Sequence, residues 1–495
     1  VPTDEPLTPM WWVKRLYKQL TARLDDVERY DAYYRGVPPR YPWLPEQARE
    51  EFRRLLDLTR SNYMGLVVDA TAERMQIEGF RIGDERDADE ETWRIWQANN
   101  LDSESDQAIL EGLIAGQSYL LVAPNPDDPK TPLVYVEHPA QAIVEYQPGM
   151  GRRERSAGLK VWLDDWTGKV NATLYLPDGL YKFVTDKPQV QGLTTMNWVP
   201  REVTAERWPA PNPLGVVPLV ELANNPRVLT GGVSEIADVI SIQDRIAKTL
   251  ADRLMTQDFG AFPQKWAIGF PDTDADGNPN RVNIGRNRLV TSDAAETEFG
   301  QFDAAPLDPY SAAKREDVKD IASRTRTPAQ YLLGELNNVN GATLQAAESG
   351  LVSKVRQRMR TYGEGFEEAV RLMRTAAGLS NADERTETIW RNPEHRTEGE
   401  LVDALLKMST LGVPEEALWE RWGASQVEIA RWKDMKAEAD AANLAAILKQ
   451  PQPGTPPGQP GGPSLQPAPG APPGSGPALP PVPGHPDRNP TSAAG

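Results

Sequence analysis

The stretch SAAKREDVKDIASRTRTPAQYLLGELNNVNGATLQAAESGLVSKVRQRMRTYGEGFEEAVRLMRTAA, from Ser311 to Ala377, decides how the chain is read. It reads as a charged helix, a sharp stop at Thr327-Pro328, a polar loop YLLGELNNVNGAT and a very long second helix. Proline forces the stop, because it lacks a backbone donor and disfavours helix in the residue before it. Beyond the loop, Leu344, Ala347, Leu351, Val355, Met359, Tyr362, Phe366, Val370 and Met373 recur at gaps of three and four, which marks one helical face. A helix of that length spans roughly 45 Å. It reads as a mechanical or assembly element, with the loop before it as the working part.

Composition excludes several kinds of chemistry. The 495 residues include no cysteine, which removes disulfides, thiolate catalysis and cysteine-based zinc sites. The three histidines, His138, His395 and His485, are far apart in sequence, so a histidine metal cluster within one subunit is not expected. Length suggests about three domains. A net charge of −17 argues against a generic DNA-coating protein, whose footprint is a basic patch. It leaves room for weak contact with DNA. The opening VPTDEPLTPMWWVKRLYKQL lacks a continuous apolar core, so no signal peptide is expected. No run approaches the ~18 apolar residues of a membrane helix, and the expectation is a soluble protein made in the cytoplasm.

Outward from the deciding stretch, the pattern is α+β. Met10 to Tyr34 reads as an amphipathic helix closed by Gly36 and Pro38-Pro39. Glu46–Arg60, Tyr63–Met75 and a segment through Ile109 and Leu113 read as further helices, and SYLLVA after Gly116 as a strand. LVYVEH, AIVEY, LKVWLDD, VNATLYL and LYKFVT then alternate, with turn signals at Thr167-Gly168 and Asp178-Gly179, as in a β-meander. After PLVELANNPR, Ser234 reads as the N-cap of a helix with Glu235 and Asp238 in its first turn and Ile236, Val239, Ile246, Leu250 and Leu254 on its apolar face. QKWAIGF and RNRLVTS read as strands around an acidic loop. Three helices follow Ala377, at Glu398–Leu411, Pro414–Trp422 and Ser425–Lys449. The last 45 residues hold 16 prolines and 9 glycines, too few core formers to order.

The motifs favour their bland readings. DTDADGN, from Asp272 to Asn278, matches half of a calcium loop, but Pro279 follows and Asn283 stands where a bidentate glutamate is needed. GELNNVNGAT lacks the glycine spacing and the lysine of a phosphate loop. Gly232-Val233-Ser234 has no closing glycine and is no nucleophile elbow. Asp164-Asp165 and Glu367-Glu368 diverge as sequence neighbours, and His138 reads as a turn residue. No active site, cofactor or metal is expected, and the chain reads as no enzyme. The segment from Leu411 to Lys433 has the length of a helix-turn-helix, with Arg431 and Lys433 available, but Glu428 among them and an acidic first helix favour a packing unit. Sequence-specific DNA binding through 411–433 is the alternative function. Lys354, Arg356, Arg358 and Arg360 split into two pairs on different faces of the long helix, Lys354 with Arg358 and Arg356 with Arg360, and are expected to form ion pairs between subunits, with contact to DNA phosphate as the sharper alternative.

The order of elements resembles the portal proteins, the head-to-tail connectors of tailed siphophages, of the type found in phages of actinobacteria. RYDAYYRG near Arg29, NYMGLVVDATAERM from Asn62, LIAGQSYLLV from Leu113, PLVELANNP with its following helix and the helix–loop–helix from Ser311 carry the resemblance. It implies a portal fold of α+β class: a wing (1–231), stem helices (232–257 and 308–326), a small β-containing clip (258–307), a tunnel loop (327–342), a long helix returning to the wing (343–378), a helical crown (379–449) and a disordered tail (450–495). It implies a homo-oligomeric ring of about twelve subunits at one capsid vertex of the virion, passing double-stranded DNA without sequence preference. The implied partners are the terminase large subunit, the head–tail adaptor and the major capsid and scaffolding proteins, with no membrane. Leu336, Asn337, Asn338, Val339 and Asn340 would face DNA, and Asp272, Asp274, Asp276, Arg281 and Arg286 of the clip would meet terminase or adaptor. One physical point agrees. No lysine or arginine lies between Thr327 and Ser353, so the loop would touch a sliding duplex without capturing its phosphates. A ring of such acidic chains, summing to about −200, would hold the duplex off the tunnel wall.

Overall fold

The computed structural model describes residues 5–37, 57–83, 88–152, 154–188, 196–201, 203, 207–261, 265–269, 273, 296–301, 303, 305–334, 341–379, 385–394, 398–424 and 426–449. The chain divides into two compact units, Val1–Trp432 and Lys433–Gly495. In the second, the described residues are helical to Lys449. The expected strand RNRLVTS, the acidic loop apart from Thr273, and Leu336–Asn340 lie outside the described residues, as do the proposed clip contacts Asp272, Asp274, Asp276, Arg281 and Arg286.

The first helix, α1 (Pro9–Tyr34), begins where Thr8 Oγ1 accepts from the Trp11 amide at 3.4 Å, with Pro9 in the first turn. Met10, Val13, Leu16 and Leu20 form its buried face. They pack on Leu159, Val161, Ala172, Leu174 and Phe183 of an antiparallel sheet. Its strands run in order β4 (Ala142–Tyr146), β5 (Arg155–Asp164), β6 (Lys169–Tyr175), β7 (Gly179–Thr185) and β8 (Trp198–Pro200), and β9 (Ala210–Pro211) pairs with β7. The expected meander is present here, but it is not a single sheet. β2 (Gln117–Ala123) and β3 (Leu133–Glu137) leave it to form a second sheet with β10 (Leu219–Ala223), in order β10-β2-β3. The reason is burial. Ser118 to Val122 are all buried, so the backbone N–H and C=O groups at both edges of β2 need partners, and the PLVELA segment returns to supply one set.

Helices cover the second sheet. α2 (Met64–Ala72), α3 (Glu90–Ala98) and α4 (Leu101–Ala115) join its core through Met64, Val67, Ile95, Trp96, Ile109 and Leu113. A two-stranded ribbon pairs β1 (Ile77–Ile82) with β13 (Thr386–Trp390). The other helices are α5 (Ile240–Ala261), α6 (Asp308–Thr325), the short α7 (Ala329–Leu333), α8 (Gly341–Ala376), α9 (Glu398–Thr410), α10 (Glu415–Trp422) and α11 (Gln426–Lys449). With 36 residues, α8 is about 54 Å long. Leu351, Val355, Met359, Tyr362, Phe366, Val370 and Met373 are all buried, as the periodicity requires. One expected member of the stripe differs: Ala347 is exposed, and Glu348 takes the buried position in that turn.

Two features differ from expectation for one reason. The helix expected at Ser234 begins only at Ile240. Ser234 Oγ accepts from the Ile236 amide at 3.3 Å, and residues 235–239 form turns. Those turns carry Glu235 into the core rather than to a helix terminus. Lys354 Nζ lies 2.9 Å from its Oε1, and Arg358 donates to Oε2 at 3.0 and 3.2 Å. The basic pair on α8 therefore finds its carboxylate within the chain, not between subunits, and Arg356 meets Glu394 at 2.5 Å. Burial pushes the Glu235 carboxyl up, but Lys354 and Arg358 outweigh it and hold it below its ordinary 4.5. Burial lowers the Lys354 ammonium. Beside this site the backbones of Gly116 and Gly232 nearly touch, since a Cβ on Gly232 would stand 1.8 Å from the Gly116 carbonyl oxygen.

Three variants test this packing. Glu235→Gln leaves two cations in the core without a counter-charge and is expected to lower the free energy of unfolding by ~3–5 kcal/mol in chemical denaturation. The wild-type contribution of this carboxyl is whole above the unfolded-state value near 4.5 and is lost as pH falls through the depressed folded value, so the variant should show a weaker acid limb than the wild type. Gly232→Ala is expected to cost more than about 3 kcal/mol or to prevent folding, read by thermal melting. Gly399→Ala, at an open helical position, should melt at or slightly above the wild-type temperature.

Candidate functional site

The loop that the sequence singles out is framed by three helices. α6 ends at Thr325, and Arg326 closes it in the left-handed conformation at φ 55°. Thr325 Oγ1 bonds the Ile321 carbonyl at 2.8 Å and Thr327 Oγ1 at 3.0 Å, so the stop at Thr327-Pro328 is buried and hydrogen-bonded. Pro328 then starts α7, which takes up the Tyr-Leu-Leu that read as loop, and Gly334 at φ 67° ends it. Leu332 fills the core and makes this short helix worth forming.

Across the loop, Tyr331 of α7 donates its hydroxyl to Glu348 of α8. Arg74, just past α2, donates to the Tyr331 oxygen at 2.9 Å and lies 3.5 Å from Glu348. The same guanidinium donates to the Pro393 carbonyl at 2.8 Å. Burial, and then the bond to Glu348, raise the Tyr331 phenol above its ordinary value. These three side chains hold the two ends of residues 335–340 beside each other and tie them to α2 and to the segment after β13. Sequence reasoning missed all three. Tyr331 and Glu348 flank the loop, but nothing in their spacing names Arg74 as the third member.

α5 and α6 pack as a pair. Arg245 donates to Asp317 at 2.7 Å and to Asp320 at 3.2 Å, and Thr256 and Tyr310 hydroxyls lie 3.1 Å apart. The base of α5 is fixed to the helical layer by Tyr33, which donates to Asp244 at 2.7 Å, and by Gln243, which donates to the Ser61 carbonyl at 2.6 Å. Beyond α5, β11 (Lys265–Ile268) pairs antiparallel with β12 (Glu298–Gln301). Lys265–Ile268 of the expected QKWAIGF strand thus forms one, paired with Glu298–Gln301. Gly300 permits the pairing, because a Cβ there would meet the Trp266 ring at 2.3 Å.

An open groove of about 1220 Å³ runs along α2, the β1–β13 ribbon and α10. Several of its charges are paired: Arg81 with Glu420 at 3.1 Å, Arg356 with Glu394, and Arg391 with Glu78 at 3.8 Å. These pairs hold the elements together. The Arg81–Glu420 bridge also fixes the first helix of the 411–433 segment to β1, and Trp432 packs on Trp419 and Trp422 at ring distances of 5.6 and 5.7 Å. Those contacts mark a packing unit, and the alternative of a sequence-specific DNA reader is not favoured. His138 is a turn residue: its Nδ1 accepts from the Ala140 amide at 3.1 Å, and Nε2 lies 3.2 Å from Glu111. Among the described residues no cluster of metal-binding side chains forms, and no helix is long and apolar enough to cross a membrane.

A family model described as phage portal protein, SPP1 Gp6-like, matches residues 13–442. The portal proteins of Mycobacterium phage D29 and Mycobacterium phage L5 are 31% and 30% identical to this chain over 415 residues, covering 79% of it and 82% of each relative. A solved structure described as the neck of an empty GTA particle, computed with C6 symmetry, overlays 77% of this chain and 95% of its own with a TM-score of 0.42 and 14% identity. A match that spans α1, both sheets, the paired helices α5 and α6, the framed loop and α8 covers the whole architecture described above, and the chain belongs to the phage portal protein family of the SPP1 Gp6-like type.

Proposed function

We propose that this chain is the subunit of a ring of about twelve copies at one capsid vertex, the channel for DNA packaging and ejection. Portal proteins form oligomeric rings in the phage neck and are structural components of the virion. The observation that carries the reading is the family match across residues 13–442. In this reading the subunit is made in the host cytoplasm, performs no catalysis and needs no cofactor. Residues 1–231 are the wing, 232–257 and 308–326 the stem, 258–307 the clip, 343–378 the helix returning to the wing, 379–449 the crown and 450–495 the proline- and glycine-rich tail.

The tunnel loop is residues 327–342, with Leu336, Asn337, Asn338, Val339 and Asn340 facing the duplex. Two features support it. The Tyr331–Glu348–Arg74 clasp anchors both ends of the loop to packed helices, so each subunit would present one copy at a set height. The loop also carries amides and no cation, and a sliding duplex would meet no ring of phosphate ligands. The clip residues Asp272, Asp274, Asp276, Arg281 and Arg286 are assigned to docking of the terminase large subunit and later the head–tail adaptor. The major capsid and scaffolding proteins complete the set of partners.

Electron microscopy of the purified protein is expected to show rings with a central channel near the width of duplex DNA; persistent monomers or dimers under assembly conditions would sink the proposal. Replacing Asn337, Asn338 and Asn340 by lysine is expected to leave head assembly intact and to impair packaging or ejection. For the isolated ring, the slope of log affinity for DNA against log salt should steepen by ~0.9 for each phosphate engaged. Wild-type packaging with an unchanged salt slope would remove this loop as the DNA-facing element.

A further inference from the structure

The turn Arg227–Thr230, between β10 and the Glu235 turns, breaks the ordinary chemistry of turns. Asn225 enters it at a left-handed φ of 46°. It closes through two reciprocal backbone bonds, Arg227 N–H to the Thr230 carbonyl and Thr230 N–H to the Arg227 carbonyl, both 3.3 Å. Its two central residues are Val228 and Leu229. Two-residue turns favour Gly, Asn, Asp or Ser, which tolerate the bend or bond to it. Here an apolar pair is held in water instead, 98% and 95% exposed. Neither side chain packs inside the chain, so the stability of one subunit gives no reason for them. A local rule broken with no gain inside the molecule points to a gain made outside it.

The surroundings indicate what supplies that gain. Arg152, from the turn between β4 and β5, reaches to 3.9 Å from where a Cβ on Gly231 would stand. Met150, at the tip of that same turn, is also exposed. Arg227 has an exposed side chain with no ion pair among the described residues. Two exposed apolar residues beside Arg227, with Arg152 nearby but held by Glu221 at 3.5 Å, thus stand on a chain of net charge −17. A basic-rimmed apolar knob complements an acidic body, and in a ring the acidic body beside each subunit is the next copy. A closed ring also needs two unlike flanks on every subunit, one of which projects. Duplex DNA is the poorer fit, because affinity for it rests on phosphate contacts and most of this knob is uncharged.

We propose that Val228 and Leu229 form a plug that seats in an apolar recess of the next copy in the ring, with Arg227 meeting a carboxylate at its edge. The inference rests on the ring reading above. The natural chain has no cysteine, so Leu229→Cys introduces a single thiol for a labelling experiment. Its reaction with a maleimide is expected to be at least about tenfold slower in the assembled ring than in the urea-unfolded chain, as for a desolvated interface anchor. The double variant Val228→Asp/Leu229→Asp is expected to keep the circular dichroism spectrum and melting transition of the single subunit. It should need roughly tenfold or more protein to half-assemble the ring. A wild-type ring whose Leu229→Cys thiol labels at the unfolded rate overturns the plug alone. So does a double variant that assembles at wild-type concentration, including one that then fails only to engage DNA or a capsid. A wild-type chain that stays monomeric overturns the ring reading and the plug with it.

Discussion

Glu235 is the carboxylate on which the long helix is fixed. It sits in the connection between the second sheet and α5 and takes both Lys354 and Arg358 from α8. All three side chains are almost wholly buried, so each depends on the others for its charge. Two cations share one carboxylate and outweigh its burial, so its own proton is held off, while burial, against the pull of Glu235, lowers the Lys354 ammonium. The arrangement sets one rotation and one height of α8 against the sheet. Every apolar contact further along that helix, from Met359 to Met373, then falls in register.

Close backbone approach makes that contact possible. Gly116 and Gly232 allow the end of α4 and the Glu235 connection to touch, and a Cβ on Gly112 would stand 2.4 Å from the Tyr362 hydroxyl. On the far side, Gly365 lets Leu222 of β10 lie against α8, where a Cβ would meet it at 2.5 Å. Space requires glycine most strictly at the Gly116–Gly232 crossing, where an added methyl would meet backbone and displace the connection that carries Glu235. The same helix, so held, carries Glu348 to Tyr331 and Arg74 at its other end. The frame around residues 335–340 is therefore a consequence of how α8 is seated.

Much of this was legible before any contact was known. The apolar stripe of α8 is a matter of period, the stop at Thr327-Pro328 is a matter of proline geometry, and the hairpins of β4 to β7 follow from alternation and turn residues. The pairing of Lys354 with Arg358 on one face also follows from helical spacing, but their partner does not. Glu235 read as a first-turn acid because Ser234 resembles an N-cap, and only the turns at 235–239 carry it inward. α7 was hidden because five residues are too few to show a period, and Leu332 earns its helix from burial. The split of the strands into two sheets was hidden for a related reason: alternation tells which face is apolar, not which strand lies alongside.

By itself the sequence determined what is periodic or local: the helices and strands, the glycine and proline stops, the absence of cysteine, the acidic charge, the cation-free loop and, through the order of its elements, the resemblance to portal proteins. The tertiary structure alone decided which distant groups meet. Glu235 with Lys354 and Arg358, Arg74 with Tyr331 and Glu348, and Gly116 with Gly232 are each separated by long stretches of chain. The physical reason is that local pattern records a residue's preference for water or core, and its backbone bias. The choice of partner is made by burial, where a charge or a carbonyl must be satisfied by whatever the packing brings beside it.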